Sequence, residues 1–302
     1  VNLLFTMLMP FMATAQKTSD FSSIMAKETR LLELFDEAFT FDGVKYIKTD
    51  VEKDSINREI IKIFSDILED PASFSYNFDS LKHAGIIHSV DGLVKIYTWN
   101  LKYENGEHKY FGYSQCYNKK KKQLYTSFLH DKSAGCVNPV QLSLSDTNWF
   151  GCLYYKIIDI RYAGKKYYTL LGWDGNNNLS AKKIVDVLYF TGNGKPKFGK
   201  AIFKTGKTRS KRLIFEYNHM AVMSLTYDES LKMIIYDFLS PPSPVYKNRF
   251  EFYAPDGTYD GLYFKSGRWN LYPNIDIKKL RNSQYRAGKP KKGTYQPKRL
   301  YD

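Results

Sequence analysis

Residues 151–173 read GCLYYKIIDIRYAGKKYYTLLGW, and this stretch decides the fold class. Two runs rich in Tyr, Ile, Leu and Thr, at residues 151–162 and 166–173, flank the tripeptide Ala-Gly-Lys at 163–165. Runs of this composition are typical of β-strands. A glycine between them supplies the positive φ that a tight turn needs. The stretch therefore predicts an antiparallel hairpin.

The same alternation of strand-like runs and turns extends outward from this hairpin, from about residue 91 to residue 271. The predicted strands cover residues 93–103, 108–117, 123–130, 151–162, 166–173, 183–190, 197–203, 212–217, 222–227, 233–238, 260–264 and 268–271. Glycine-containing turns at 104–106, 192–194 and 265–267 join neighbouring strands as hairpins. No long helical pattern intervenes, so a parallel α/β sheet is not expected. A meander of this length must close or stack to hide its edges, which favours a barrel, a sandwich or a degenerate propeller-like array.

Two helical stretches precede the strands. Apolar residues recur at three- and four-residue spacings over 23–39 and again over 55–69, as one buried helix face requires. Gly43 ends the first helix, Asp54 or Ser55 caps the second, and Pro71 stops it. We therefore expect a mainly β (α+β) fold. A helical segment at 16–90 packs on a large antiparallel β domain at 91–280, and a basic flexible tail follows at 281–302.

Residues 1–15 have the features of a signal peptide. Residues 3–12 form an apolar run of about ten residues, shorter than the roughly 20 needed to cross a bilayer. The tripeptide at 13–15, Ala-Thr-Ala, has the small first and third residues that signal peptidase requires. We expect cleavage after Ala15 and a periplasmic or cell-envelope location. No second apolar segment approaches spanning length, so we expect no transmembrane segment in the mature chain.

The formal net charge of +14 is spread along the chain. In a cytosolic protein this excess of positive charge would suggest nucleic-acid binding. Outside the cytoplasm the expected counterions are anionic lipids, lipopolysaccharide or acidic glycans. The three cysteines, Cys116, Cys136 and Cys152, cannot all pair, so free buried thiols are the simplest prediction. A Cys116–Cys136 bridge is the alternative in an oxidising compartment.

Several short segments resemble an uncharacterised family of exported, β-rich Bacteroidota proteins. They are YYTLLGWDGN at 167–176, KKIVDVL at 182–188, IFEY at 214–217 and YAPDGTYDG at 253–261. The resemblance covers most of residues 73–271 and implies export and a β-rich fold. It assigns no catalytic residue, because no function is established for the family.

Asp174, Asn176 and Asn178 place three oxygen ligands at alternate positions of one loop, as the opening of a calcium-binding loop does. A complete EF-hand loop also needs Gly at its sixth position and Glu at its twelfth, where this chain has Leu179 and Val185. Asp and Asn form turns without any metal, because they hydrogen-bond their own backbone. The turn is therefore the preferred interpretation, and we expect no cofactor.

Asp256 and Asp260 are the first candidates for paired catalytic carboxylates, with Glu216 and Asp237 as alternative partners. A glycosidase uses two such groups, one as acid and one as nucleophile or base. The sequence Pro-Asp-Gly-Thr at 255–258 is also a good type I turn, so a structural role is the competing interpretation. Aromatic side chains and one further carboxylate are candidates for binding a ligand. They are Trp173, Asp174, Tyr253, Tyr259 and Trp269.

The basic tail is a candidate for binding an anionic surface, at up to about 1 kcal/mol for each cation. An inert flexible tail is the alternative. The candidate residues are Arg281, Arg286, Lys289, Lys291, Lys292, Lys298 and Arg299.

The sequence contains no Gly-x-Ser-x-Gly elbow, phosphate loop or dinucleotide fingerprint, and its five histidines have no metal-ligand spacing. We therefore expect a non-enzymatic envelope protein. Its predicted partner is a glycan, lipopolysaccharide or another anionic envelope component, or an envelope protein, and not nucleic acid. The alternative is a carbohydrate-active hydrolase that uses paired carboxylates beside aromatic residues.

Overall fold

The computed structural model describes residues 21–43, 45–206 and 209–282. The expected signal segment at 1–15 and the tail positions from 283 onward lie outside this part of the chain. The described chain is mainly β, with an N-terminal helical segment and antiparallel sheets, which confirms the predicted class. None of its helices is long and apolar enough to span a membrane.

Two long helices, α1 (Ser22–Phe39) and α2 (Asp50–Leu68), open the described chain, and a short helix, α3 (Ile277–Asn282), closes it. The predicted start of α2 at residue 55 was wrong, because Thr49 caps the helix. The Thr49 hydroxyl accepts from the backbone N–H of Glu52, and the Glu52 carboxylate accepts from the backbone N–H of Thr49 at 2.8 Å. This reciprocal capping box satisfies two N–H groups that the helix end leaves without partners.

The strands form three sheets. Sheet 1 has the order β1 (Gly85–His88), β2 (Val94–Lys102), β3 (His108–Asn118), β4 (Gln123–His130). Sheet 2 has the order β5 (Leu144–Ser145), β9 (Pro196–Phe198), β8 (Ser180–Phe190), β7 (Lys165–Asp174), β6 (Leu153–Tyr162), and β11 (Leu213–Asn218) also pairs with β8. Sheet 3 has the order β10 (Phe203–Lys204), β15 (Arg268–Tyr272), β14 (Ala254–Lys265), β13 (Met233–Ser240), β12 (Leu225–Asp228).

Most neighbouring strands are antiparallel hairpin partners, as the turn glycines predict. The predicted strand at 197–203 is instead two short strands, β9 and β10, which belong to different sheets. Gly199 lies between them at φ +84°, a left-handed backbone conformation that breaks a strand. Strand composition does not predict β1 and β5, which are only four and two residues long. No barrel closes within the described residues, where each sheet ends in edge strands.

The sheets and helices stack in layers that share hydrophobic clusters. Tyr97 and Trp99 of sheet 1 pack against Phe35 and Phe64 of the helices. The other face of sheet 1 packs on one face of sheet 2, and the opposite face of sheet 2 packs on sheet 3. Side chains alternate between the faces of a strand. Leu170 of β7 therefore points towards sheet 1, and Leu171 points towards sheet 3. Sheet 2 is therefore buried on both faces.

Candidate functional site

A cavity of about 750 Å³ opens between sheet 1 and sheet 2 at one end of their strands. The first residues of β3 and β8, the last residues of β4 and β7, and part of β11 line it. Both acidic and basic side chains line its wall, and we call it the mixed-charge cavity. Its charged and imidazole side chains are Glu107, Asp131, Asp174, Glu216, Lys109, Lys132, Lys182, His108 and His130.

Asp174 is held at the inner wall of this cavity, where it is 5% exposed. Its Oδ1 accepts from the hydroxyl of Tyr110 at 2.8 Å and from the backbone N–H of Asn176 at 2.7 Å. The same tyrosine oxygen accepts from the backbone N–H of Gly175 at 2.8 Å. Burial raises the pKa of Asp174, although the ammonium of Lys182 and these hydrogen bonds act in the opposite direction. Tyr110 of sheet 1 thereby fixes a carboxylate of sheet 2.

Glu216 lies on β11 directly opposite Lys182 of β8. Its Oε1 accepts from the Ser180 hydroxyl at 2.5 Å and from the Asn176 amide at 3.4 Å. The Asn176 amide oxygen in turn accepts from Lys182 Nζ at 2.6 Å, and this ammonium lies 3.8 Å from Asp174 Oδ2. Asn176 therefore connects the two carboxylates through one hydrogen-bonded network, which holds Asp174, Lys182 and Glu216 in place.

His108 stands beside this network. Its Nδ1 lies 2.6 Å from the side-chain nitrogen of Asn100. Burial, together with the positive charge of Lys102, lowers the pKa of His108 to about 4. A Cβ atom on Gly175 would lie 2.5 Å from His108 Nε2, so any other residue here would displace the imidazole. The imidazole is therefore neutral near pH 7 and presents one donor and one acceptor.

Asp131, directly after β4, organises another part of the cavity wall. Its carboxylate accepts from the backbone N–H of Tyr110 at 3.1 Å, of Ser133 at 2.8 Å and of Gly151 at 3.1 Å. The Ser133 hydroxyl adds a fourth hydrogen bond at 2.7 Å. The carboxylate thus joins β3, β4 and the start of sheet 2, and its role in the described geometry is to hold the wall together.

The three predicted calcium ligands take part in turn formation and in contacts between sheets. Asp174 and Asn176 form the turn described above, with the ammonium of Lys182 at their oxygens. The amide of Asn178 donates to the backbone carbonyl of Asn105 at 3.3 Å, which joins a sheet 2 loop to a sheet 1 turn. Among the described residues, no group of three or more His, Cys, Asp or Glu side chains is arranged to hold a metal ion.

The other predicted carboxylates lie on sheet 3, outside the mixed-charge cavity. Asp256 accepts from the backbone N–H and the hydroxyl of Thr258, as a turn-forming Asp does. Asp260 is buried and accepts from the backbone N–H of Asn274 at 2.8 Å, and Asp237 accepts from that of Ser224 at 2.7 Å. Of the five carboxylates predicted as candidates, the cavity brings together Asp174 and Glu216.

The predicted aromatic residues are dispersed over the molecule. Trp269 is completely buried, and its indole N–H donates to Thr169 Oγ1 at 2.9 Å, so its ring is part of the core. Tyr253 does not line the cavity, and its hydroxyl accepts a hydrogen bond from the backbone N–H of Asn248 at 3.1 Å. Tyr259 is exposed on β14, and Trp173 meets His108 edge-on, with ring centroids 5.7 Å apart. Trp173 is thus the member of this set nearest the cavity.

Of the predicted tail cations, the structure describes Arg281, which donates to Asp228 Oδ2 at 2.6 Å. The other six lie outside the described residues. The cysteines are all free in the structure. Cys136 lines the mixed-charge cavity and Cys116 lines a different cavity at the far end of the strands, while Cys152 is buried.

Sequence reasoning missed Tyr110, His108, Asp131 and Lys182 as residues of the site. No local signal marks them, because each lies in an ordinary strand or strand end and acquires its partners only when two sheets meet. Comparisons of the chain with protein-family models, with curated proteins and with solved structures find no match. The geometry of the cavity is therefore the basis for a functional proposal.

Proposed function

We propose that the protein is a non-enzymatic binding protein and that the mixed-charge cavity holds a neutral saccharide unit of a glycan. The observation that carries the proposal is the hydrogen-bonded wall of Asp174, Asn176, Lys182 and Glu216, whose donors and acceptors are fixed in position. Sugar hydroxyls both donate and accept, so they suit a wall of alternating donors and acceptors. The volume of about 750 Å³ lies within the usual range for small-ligand sites.

The near balance of charge in the cavity supports a neutral ligand over a strongly charged one. Four carboxylates and three lysines line it, with the imidazole of His108 neutral near pH 7. An anion would face the carboxylates and a cation the lysines. Aromatic surface from Phe111, Phe128 and Phe150 supplies the apolar part of the wall.

Isothermal titration of the purified chain with a panel of neutral and acidic oligosaccharides tests this proposal. We expect Glu216→Gln and Asn176→Ala each to weaken saccharide binding about tenfold, because the first replaces an acceptor oxygen of the fixed wall with an amide donor and the second removes the amide that links the wall. Glu33→Gln on α1, an exposed position with the same chemical change, is the matched control. Binding that is equal in all variants, or absent for the whole panel, contradicts the proposal.

A carbohydrate-active hydrolase is the second candidate, and one observation favours it. Asp174 and Glu216 line the same cavity, and burial raises the pKa of Asp174, as a general acid requires. Release of reducing ends that disappears in both Asp174→Asn and Glu216→Gln, and persists in Asp256→Asn and Asp260→Asn, would establish hydrolysis and replace the binding proposal.

Export to the cell envelope is proposed from the sequence. The apolar run at 3–12 and the Ala-Thr-Ala at 13–15 support it. N-terminal sequencing of secreted material that begins at Gln16 is the expected result, and retention of residues 1–15 in a cytoplasmic product contradicts it. Salt-sensitive binding to anionic vesicles that is lost on deleting residues 281–302 would assign the surface-binding role to the tail.

The finer architecture is also a proposal. β1–β4, β6–β9 and β12–β15 are three four-stranded meanders in chain order, which is the arrangement of successive propeller blades. We propose that they form a short propeller-like arc. An experimental structure that gives the angles between the sheets tests this, because blades radiate from an axis whereas sandwich layers stay nearly aligned.

A further inference from the structure

A second cavity, of about 700 Å³, opens at the other end of the same strands. The last residues of β3 and β8 and the first residues of β7 line it. We call it the basic cavity, because no carboxylate is among its lining side chains, whereas six cationic side chains are. These cations are Lys119, Lys120, Arg161, Lys165, Lys166 and Lys200.

Most of this positive charge is not neutralised. Lys166 Nζ lies 2.5 Å from Asp91 Oδ2. Each of the other five makes no ion pair with any residue that the structure describes. Like charges gathered around one concavity repel each other and produce a positive potential within it, which attracts an anion.

Aromatic rings line the basic cavity. The rings of Tyr167 and Tyr189 meet edge to face, with centroids 6.1 Å apart. Lys200 Nζ lies 5.8 Å from the first centroid and 5.5 Å from the second, so one ammonium sits close to both rings. Neither tyrosine hydroxyl hydrogen-bonds to another residue in the described part of the chain, so both are available to a ligand. Both side chains are half-buried.

We propose that the basic cavity is a binding site for an acidic saccharide, a sugar that carries sulfate or carboxylate groups. The lysines and Arg161 bind the anionic groups, and the tyrosine rings and hydroxyls contact the sugar. We favour a saccharide over a bilayer surface, because Lys166, Lys200 and the two rings are half-buried, and a small ligand enters a cavity that a flat surface only covers. The proposal is independent of the function proposed for the mixed-charge cavity, since the two cavities share no lining residue.

Calorimetric titration of the full chain with three probes tests this site. The probes are a heparin-derived oligosaccharide, which carries sulfates, an oligogalacturonate, which carries carboxylates alone, and a neutral maltooligosaccharide. We expect at least one acidic probe to bind, with a Kd that rises with salt concentration, and the neutral probe not to bind at this site. The acidic probe that binds identifies the preferred anionic group.

The double variant Arg161→Gln/Lys200→Gln should weaken binding of the acidic probe about 25-fold, which is about fivefold for each cation removed. Arg58→Gln/Lys62→Gln, two exposed cations of α2, is the control with the same change in net charge, and we expect less than about a twofold effect. A second variant, Lys119→Gln/Lys120→Gln, alters only an exposed hairpin tip and guards against misfolding of the first.

Equal weakening in the control, or no weakening in either variant of the cavity, overturns the proposal. Binding of anionic vesicles or single-stranded DNA that depends on Arg161 and Lys200, without binding of either acidic saccharide, also overturns it and assigns the site to that other polyanion.

Discussion

The two cavities lie at opposite ends of the interface between sheet 1 and sheet 2, and β3, β7 and β8 contribute to both. At the mixed-charge end, side chains of opposite charge and neutral amides hold one another in position. At the basic end, five of six cations have no ion-pair partner among the described residues. One pair of packed sheets therefore carries a hydrogen-bonded, charge-balanced site at one end and a site dominated by uncompensated charge at the other.

The contrast shows that rigidity and electrostatic attraction are built from different strand-end chemistry. The mixed-charge end uses short side chains, such as Asp131 and Asp174, that bind backbone N–H groups. The basic end uses long side chains that carry their charge away from the backbone and lose rotamer freedom when they bind. Mutations at the two ends should therefore differ in their cost to stability and in their dependence on pH.

The largest effect is expected at the buried ion pair beneath the mixed-charge cavity. Arg212 Nε lies 3.0 Å from Asp186 Oδ2, both side chains are at most 1% exposed, and the guanidinium also donates to the backbone carbonyl of Pro139 in the cavity wall. Arg212→Met leaves Asp186 buried without its counterion, so we expect a loss of about 3–5 kcal/mol of unfolding free energy. Urea denaturation measures it. A loss of unfolding free energy below about 1 kcal/mol would mean that the Arg212–Asp186 ion pair does not stabilise this end of the molecule.

The second prediction concerns close contact at the basic end. Gly194 has φ +75°, and a Cβ atom there would lie 2.1 Å from the ring of Tyr125 in sheet 1. Gly194→Ala should cost about 2–3 kcal/mol, from left-handed backbone strain and displacement of the ring. Gly192→Ala is the control in the same turn, because no atom lies within 4 Å of its added Cβ. Equal unfolding free energies for the two variants would contradict the expected contact.

The third prediction is a difference in acid sensitivity between the two ends. Burial and the charge of Lys102 lower the pKa of His108 from 6.5 to about 4. Between these two pH values the folded state therefore binds fewer protons than the unfolded state. Stability should therefore fall as pH drops through this window, by on the order of 2 kcal/mol. The raised pKa of Asp174 acts in the opposite sense, because its contribution is lost as pH rises above its unfolded pKa of 3.8.

Comparison of His108→Gln with the parent protein isolates the histidine contribution. The difference in unfolding free energy between the two proteins should be larger at about pH 7 than at about pH 4.5, as measured by urea titration.

At the basic end, burial would raise the pKa of Asp91, but hydrogen bonds from Lys166, Ser89 and the backbone of Leu93 lower it. Its contribution is therefore lost only as pH falls below its ordinary value of 3.8. A pH-independent difference for His108→Gln would refute the assignment.

The smallest effect is expected for the ion pair at the basic end. Lys166 and Asp91 are 33% and 24% exposed, so solvent screens their attraction. Lys166→Met should cost less than about 1 kcal/mol in urea denaturation. A cost equal to that of Arg212→Met would remove the energetic distinction between the two ends.

Turn chemistry made most of the sheet architecture predictable. Gly106, Gly164, Gly194 and Gly267, in the four turns that the sequence identifies, all have positive φ. A hairpin is specified by residues adjacent in the chain, so composition and turn signals suffice. The start of α2 is also marked in the sequence, because Thr49 and Glu52 have the spacing of a capping box.

The candidate site was only partly predictable. Asp174 and Glu216 were both named as candidates, but the expected partners of Glu216 were Asp256 and Asp260, which lie on sheet 3. The contact that builds the site joins Tyr110 to Asp174, which are 64 positions apart in sequence and lie on different sheets. Strand composition fixes which residues pair locally, whereas the register of one sheet on another depends on how the cores interlock.

The pairing of β10 with β15 has a consequence for the order in which the chain can fold. β10 leaves β9 of sheet 2, yet its partner in sheet 3 is the last strand of the described chain. Until β12–β15 have been synthesised, the face of sheet 2 that holds Leu171 and Val185 lacks its covering layer, and β15 completes that layer last. A contact this distant in sequence slows folding and leaves apolar surface open to aggregation meanwhile. A chain with this topology gains from staying unfolded, or bound to a chaperone, until its C-terminal third is available.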